Sequence, residues 1–242
     1  AARLYATEKP SSIFFAMGVT QHVGGVDNVL SVANLAILTG NLGKRGSGIN
    51  PLRGQNNVQG ACDMGALPNV YPGYQPVSML DIQKKFSSAW NAELSDKIGL
   101  TIPDMTRALL DGNLKALYVI AENPLMSDPD SQHVREALGR AEFLVVQDIF
   151  MTPTAQLAHV ILPGASFAEK DGTFTNTERR VMRVRKAIDP IGDAKADWEI
   201  IQEISNRFGY PMNYTSPSEI MDEIASLTPS YAGISYDRLE GE

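Results

Sequence analysis

Cysteine is nearly absent, with Cys62 the single example in 242 residues. One thiol cannot close an intrachain disulfide, nor can it by itself build an iron–sulfur cluster or a zinc site that needs several thiolates. No run of about 18 apolar residues occurs, which excludes a conventional membrane-spanning helix. Positive charge is also scarce. The 21 Lys and Arg against 28 Asp and Glu leave a formal charge of −7, which argues against a nonspecific nucleic-acid binder with a basic face. The N-terminus, Ala1 to Pro10, carries neither an initiator Met nor a charged region followed by a hydrophobic segment, so the chain is expected to be an excised part of something longer.

What is present is ordinary soluble, globular material, 43% hydrophobic and 20% charged, enough for one large domain or two small ones. One stretch departs from that background. Asn50-Pro51-Leu52-Arg53-Gly54-Gln55-Asn56-Asn57-Val58-Gln59-Gly60-Ala61-Cys62-Asp63-Met64-Gly65 sets one arginine among amides and glycines with few apolar side chains. Such a segment is poor core material, but its short hydrogen-bonding groups and pliant backbone suit close wrapping around a large polar ligand. The guanidinium fork of Arg53 matches a carboxylate or phosphate in a bidentate pair.

Along the chain, Ser12–Val19 reads as a strand, and Val29, Val32, Ala33, Ala36 and Ile37 fall at helical spacing within Val26–Thr39. From Gly40 to about Pro76 the sequence is rich in Gly, Asn, Gln and Pro, too long for an idle connection and therefore expected to contact a ligand. Helices are expected over 78–91 and 103–111, the second with Pro103 in its first turn. Leu114–Ala121, Phe143–Asp148 and His159–Leu162 are β-rich runs separated by helical stretches near 130–139 and 153–158, the alternation of a parallel α/β sheet. Their ends are polar or permissive: Glu122-Asn123-Pro124, Gln147-Asp148, and Pro163-Gly164-Ala165-Ser166. In doubly wound sheets ligands bind beyond the carboxyl ends of the strands, so these three tips should line one crevice. A polar turn over 171–180 then enters an Arg-rich segment, followed by helices near 197–208 and 217–226. The expected division is a strand–helix unit with its loop over 1–76, a dinucleotide-binding-like α/β unit over 77–166, and a polar loop with C-terminal helices over 167–242.

Several segments in this order carry a resemblance: MGVTQHVGG (17–25), LTGNLGKRGSGINPLRGQNNVQGACDMG (38–65), YPGYQPV (71–77), AENPLMSDPD (121–130), VVQDIFMTPTAQLAHVILPGASFAEKDGTFTNTERRV (145–181) and KADWEII (195–201). Together they make the chain resemble the large catalytic subunit of molybdopterin-dependent formate dehydrogenases, within the molybdopterin oxidoreductase superfamily. The resemblance spans essentially the whole chain. It implies an α/β, Rossmann-like parallel sheet in an αβα sandwich with flanking helices and long loops, as a fragment of that multidomain fold.

The same resemblance implies a bis-(molybdopterin guanine dinucleotide) carrying molybdenum or tungsten, and formate oxidation to carbon dioxide. A [4Fe–4S] cluster belongs to the holoenzyme and is not ligated by this chain. The implied partners are formate, the remainder of the same subunit and electron-transfer subunits or another acceptor, without nucleic acid; the expected compartment is cytoplasmic, with a periplasmic holoenzyme as the alternative. Arg53 stands at the family's formate-binding arginine, where it would orient the carboxylate and compensate its charge. Gln55, Asn57, Gln59 and Gly60 would cradle the pterin side. Asn123, Ser127, Gln147, Asp148 and Asp197 fall at guanosine- or phosphate-contacting positions, with Asp148 and Asp197 accepting from ribose hydroxyls or a guanine N–H edge. Gly164 departs from relatives with a side-chain hydroxyl there, so a contact at that point would be backbone-mediated. The metal-ligating Cys or selenocysteine, the His after it and the cluster cysteines all lie upstream in the family. The segment alone is therefore expected to be inactive, and Cys62 is not assigned as a ligand.

Plainer readings stand beside these. A loop arginine is commonly a solvated surface residue. Asp148 and Asp197 could be helix caps. GNLGKRGSG (40–48) lacks the Walker spacing and reads as a cap and turn. His22, His133 and His159 show no metal-site spacing, although His22 sits near a strand end and is an outside candidate for cofactor contact. The basic cluster Arg179, Arg180, Arg183, Arg185 and Lys186 reads as a solvated face, or as a partner for phosphates or a redox protein. The alternative functions are another molybdopterin oxidoreductase, such as a nitrate reductase, or, for the isolated chain, a non-catalytic nucleotide-binding module.

Overall fold

The computed structural model describes residues 1–241, which divide into two compact units. The first comprises 1–61 and 174–181. It opens with α1 (Ala2–Thr7) and β1 (Ser12–Phe15), then the single turn α2 (Met17–Thr20) and the long α3 (Gly25–Leu38). Strand β2 (Gly48–Pro51) pairs parallel to β1, from Ser12 opposite Gly48 to Phe15 opposite Pro51. Helix α4 (Val58–Asp63) then carries the chain out of this unit.

The expected strand Ser12–Val19 is thus half its expected length. It stops at Phe15, because β2 ends opposite it and Met17 begins a helical turn. Nor is the Gly40–Pro76 stretch irregular throughout. It contains β2, α4 and a two-residue ladder of β3 (Val70–Tyr71) with β4 (Gln75–Pro76). Propensity hides β2, a Gly-Ile-Asn-Pro strand, since Gly, Asn and Pro are depleted in strands and pairing with β1 overrides that bias.

The second unit comprises 62–173 and, among the described residues, 182–241. After β3 and β4 come α5 (Leu80–Trp90) and α6 (Ile102–Leu110), then β5 (Ala116–Ile120), α7 (Pro124–Ser127), α8 (Ser131–Gly139), β6 (Phe143–Asp148) and β7 (Val160–Pro163). Strands β5, β6 and β7 form a parallel sheet in that order, with Ile120 opposite Gln147 and Asp148 opposite Pro163. The helix expected over 153–158 in the connection from β6 to β7 is shorter than expected, a single 3-10 turn at Ala155–Leu157. Strands β8 (Gly172–Thr175) and β9 (Val181–Val184) pair as a hairpin, followed by α9 (Asp197–Arg207), α10 (Pro217–Leu227) and α11 (Tyr236–Glu240). Among the described residues no helix is long and apolar enough to cross a membrane.

The core explains the sheet. Leu144 and Val146 of β6 are fully buried and pack with Val119 of β5, Val134, Ala137 and Leu138 of α8, Leu125 and Leu109. Alternation sends Leu144 and Val146 to one face and Val145 and Gln147 to the other. Burying a Leu or Val side chain contributes about 1.5–3 kcal/mol, so this face anchors the strand. Gln147 is equally enclosed, at 1% exposure, which makes β6 a central strand covered on both faces. A buried amide at the strand's end demands hydrogen-bond partners, and those partners define the polar site below.

Candidate functional site

Two groups of residues were expected to bind ligand, and each lies within one unit. In the second unit they gather at the carboxyl ends of β5, β6 and β7. Gln147 Nε2 donates to Oδ1 of Asp197 at 2.6 Å, and Gln147 Oε1 accepts from the hydroxyl of Tyr118 on β5. Lys170 Nζ pairs with the other Asp197 oxygen. Burial, and then the charge of Asp197, hold the Tyr118 phenol above its ordinary pKa. Asp197 is the first residue of α9, and backbone bonds between Ala165 N–H and Lys195 C=O (2.8 Å) and between Lys195 N–H and Pro163 C=O (3.2 Å) bring that helix start beside the end of β7.

Gly164 lies in this junction. A Cβ placed there would stand 3.4 Å from Asp197 Oδ1 and 3.7 Å from Gln147 Cγ. Its N–H donates to the Asp148 carbonyl at 3.1 Å. The Asp148 carboxylate turns back on its own chain, its Oδ1 accepting from Ile149 N–H at 2.7 Å and Phe150 N–H at 3.3 Å.

Asn123 precedes the single turn α7 and Ser127 ends it. Asn123 Oδ1 accepts from Thr154 Oγ1 at 2.7 Å and Thr154 N–H at 3.3 Å, tying the tip of β5 to the β6–β7 connection. Ser127 donates from Oγ to Glu122 Oε1 at 2.7 Å. The structure therefore joins Gln147 and Asp197 directly, ties Gly164 to Asp148, and holds Asn123 and Ser127 through Thr154 and Glu122. Tyr118, Thr154 and Lys170 were not foreseen. Their signal in the sequence is slight, since a strand Tyr, a loop Thr and a lone Lys are common and only long-range pairing gives them partners.

In the first unit, Arg53 and Gln55 are exposed, Asn57 is half-buried, and Gln59 and Gly60 are buried. Arg53 Nη2 approaches Gln59 Oε1 at 3.4 Å, a long contact. Asn57 Oδ1 accepts from the backbone N–H of Thr175 at 3.0 Å. A Cβ at Gly60 would come within 2.3 Å of that same oxygen, so a side chain there requires Asn57 to move.

The histidines take structural partners. His22 Nε2 lies 2.9 Å from the Gly18 carbonyl, after a helical turn and not after the expected strand end. His159 Nδ1 accepts from Leu144 N–H at 2.9 Å, and His133 donates its backbone N–H to the capping Asp130 at 3.2 Å. In the basic cluster, Arg183 and Arg185 both pair with Glu240, and Lys186 with Asp189 at 2.7 Å. Among the described residues no group of three His, Cys, Asp or Glu is placed to hold a metal ion.

The second unit also contains a cleft of about 1010 Å³ that includes none of the expected site residues. Phe86, Trp90, Trp198, Tyr210 and Tyr214 line it with Glu223. Trp90 Nε1 donates to Glu223 Oε1 at 2.9 Å and the Tyr214 hydroxyl to Oε2, so the carboxylate is already held by the wall. Burial, reinforced by that carboxylate, pushes the Tyr214 pKa far up.

Comparison with known proteins follows the same lines. The profile described as Molybdopterin oxidoreductase matches residues 3–207. The F420-dependent formate dehydrogenase 1 subunit alpha of Methanococcus maripaludis is 53% identical over 241 residues, covering 99% of this chain and 35% of the relative. The F420-dependent formate dehydrogenase subunit alpha of Methanocaldococcus jannaschii is 54% identical over 241 residues, with the same coverage of 99% and 35%. Formate dehydrogenase H of Escherichia coli is 48% identical over 240 residues, covering 99% and 34%. The chain thus spans about one third of the length of these relatives. Acetylene hydratase from Pelobacter acetylenicus has a similar fold, with a TM-score of 0.66 at 20% identity over 99% of this chain and 35% of that one.

Proposed function

Because the chain belongs to the molybdopterin oxidoreductase family, we propose that it is the central segment of a formate dehydrogenase catalytic subunit. In that subunit it contributes the substrate arginine and part of a guanine dinucleotide site. The observation that carries this is identity of 48–54% to formate dehydrogenase catalytic subunits along nearly the whole chain.

The polar groups at the strand tips, led by the accepting Asp197 carboxylate, fit a guanosine. Each Asp197 oxygen accepts one bond within the protein, from Gln147 or Lys170, and retains a second lone-pair direction for a guanine N–H or ribose hydroxyl. Asn123, Ser127 and Asp148 complete a polar rim where an open α/β sheet places its ligands. Gln55, Asn57, Gln59 and Gly60 would lie along the pterin side. When bound, the bis-(molybdopterin guanine dinucleotide) with molybdenum or tungsten would supply the two-electron acceptor, and a [4Fe–4S] cluster held elsewhere in the subunit would take the electrons onward.

The chain's own contribution to chemistry is Arg53. Formate is converted to carbon dioxide with release of one proton and two electrons, so the substrate's negative charge must be held while its C–H bond breaks. A guanidinium donates to both carboxylate oxygens in one plane and fixes the C–H direction. The exposure of Arg53 leaves its fork open to such a ligand.

In the full-length subunit, Arg53→Ala should lower formate turnover roughly 10²–10³-fold with metal and pterin contents unchanged. Unchanged turnover would remove the role given to Arg53. Parallel assays with formate and nitrate separate this function from a nitrate reductase, and activity with nitrate alone would overturn it.

A further inference from the structure

The loop that carries Arg53 is suspended between two anchors. On one side Leu52 N–H donates to the Phe15 carbonyl at 2.7 Å, extending the β1–β2 pairing by one bond. On the other, Asn57 Oδ1 accepts from Thr175 N–H at 3.0 Å, while the Asn57 carbonyl accepts from Ala61 N–H at 3.0 Å and starts α4. Thr175 is 4% exposed, so its backbone is fixed in the unit's interior. Leu52 to Asn56 between these anchors are all exposed. The side chain of Arg53 itself leans on α4, through the 3.4 Å approach to Gln59.

We infer that Asn57 is a positioning residue for Arg53: its bond to Thr175 fixes the start of α4 and with it the loop that presents the guanidinium. Gly60 is part of the same device. Alanine ordinarily favours a helix over glycine, yet a Cβ at Gly60 would lie 2.3 Å from Asn57 Oδ1 and 3.1 Å from Asn57 Cγ. It would drive the amide off Thr175. The small residue at position 60 therefore keeps the bond intact, although neither residue need touch substrate.

The inference rests on Arg53 binding the formate carboxylate, and it makes a different kinetic demand. Releasing one anchor lowers the fraction of molecules with Arg53 in place, which raises apparent dissociation constants in proportion. Saturating substrate pulls the loop back, so kcat suffers less than KM.

The test uses the full-length holoenzyme with Arg53→Ala, Asn57→Ala, Gly60→Ala and the Asn57/Gly60 double variant. Readouts are kcat and KM for formate, the inhibition constant of azide as a small unreactive anion, and metal and pterin contents. Asn57→Ala should raise KM and the azide constant together, roughly tenfold, and by more than it lowers kcat measured per bound cofactor. Gly60→Ala should do the same alone and add nothing to Asn57→Ala, because the oxygen it collides with is gone. If Asn57→Ala does not accumulate as folded protein, the KM and azide constant of Gly60→Ala decide the matter.

Parent-like constants in Asn57→Ala, with Arg53→Ala inactive, would overturn the positioning role and leave the formate function standing. Full additivity in the double variant would also overturn it. Loss of pterin from Asn57→Ala with a parent-like KM and azide constant in the loaded fraction would leave Asn57 as a cofactor contact alone and overturn the positioning role, and normal turnover of Arg53→Ala would overturn both proposals.

Discussion

Gln147 and Asp197, 50 residues apart in sequence, meet at 2.6 Å where strand β6 ends and helix α9 begins. The amide is almost fully buried while the carboxylate also pairs with Lys170, so two polar contacts on one carboxylate join three segments of the second unit. Replacing Asp197 with Asn retains an acceptor for Gln147 but removes the charge opposite Lys170. At 25% and 35% side-chain exposure the pair is only partly screened, and the loss is expected to be about 1–2 kcal/mol in chemical denaturation. In the full-length subunit pterin retention should fall as well, measured as cofactor released per mole of protein.

Gly164 offers a graded test of the same contact. A methyl group there meets ordinary van der Waals neighbours, with Asp197 Oδ1 at 3.4 Å, so Gly164→Ala should change stability by no more than about 0.5 kcal/mol. Gly164→Val adds two methyls toward Asp197 and Gln147 and should destabilise by roughly 1–3 kcal/mol. Equal effects of the two substitutions would show that the junction is not packed as described.

Leu144 is the central core residue of β6, with no exposed surface. Leu144→Ala leaves a cavity between the sheet and α8 and should cost about 2–5 kcal/mol in urea unfolding. Leu144→Met, which nearly conserves volume, should cost less than about 1.5 kcal/mol.

Glu169 gives the second unit an acid-sensitive joint. Its carboxylate accepts from Ser166 N–H at 2.7 Å and Ile191 N–H at 2.9 Å, and the bonding to Ser166 is the main cause of a pKa below the ordinary 4.5. The unfolded chain therefore binds this proton more readily than the folded one. The stabilisation is fully present above pH 4.5 and is lost as pH falls from there through the lower folded-state value. Thermal melts of Glu169→Gln should show a lower Tm at neutral pH and a shallower loss of stability across that acid window. A parent-like acid slope would remove Glu169 from the account.

The sequence was most legible where local and global preferences agree. Phe143–Asp148 forms a strand over its full predicted range, since a central apolar strand is written in consecutive Val and Leu residues. Helix Gly25–Leu38 follows its apolar spacing nearly to the residue. Short β2 was not legible, because its Gly, Asn and Pro gain a strand conformation only from pairing with β1. The polar strand tips could be placed because each follows a readable strand. Tyr118, Thr154 and Lys170 could not, because nothing in a single residue type announces a partner about 30 positions away.

By itself the sequence determined the family, the parallel α/β character and the polar composition of both candidate sites. These depend on residue order, periodicity and chemistry, which need no coordinates. Only the tertiary structure decided which polar groups are already committed to one another. Gln147 is closed onto Asp197, and Asn57 is closed onto Thr175, while Arg53 remains exposed. Hydrogen-bonding capacity is fixed by residue type, but its use is set by which distant segments the packed core brings within reach.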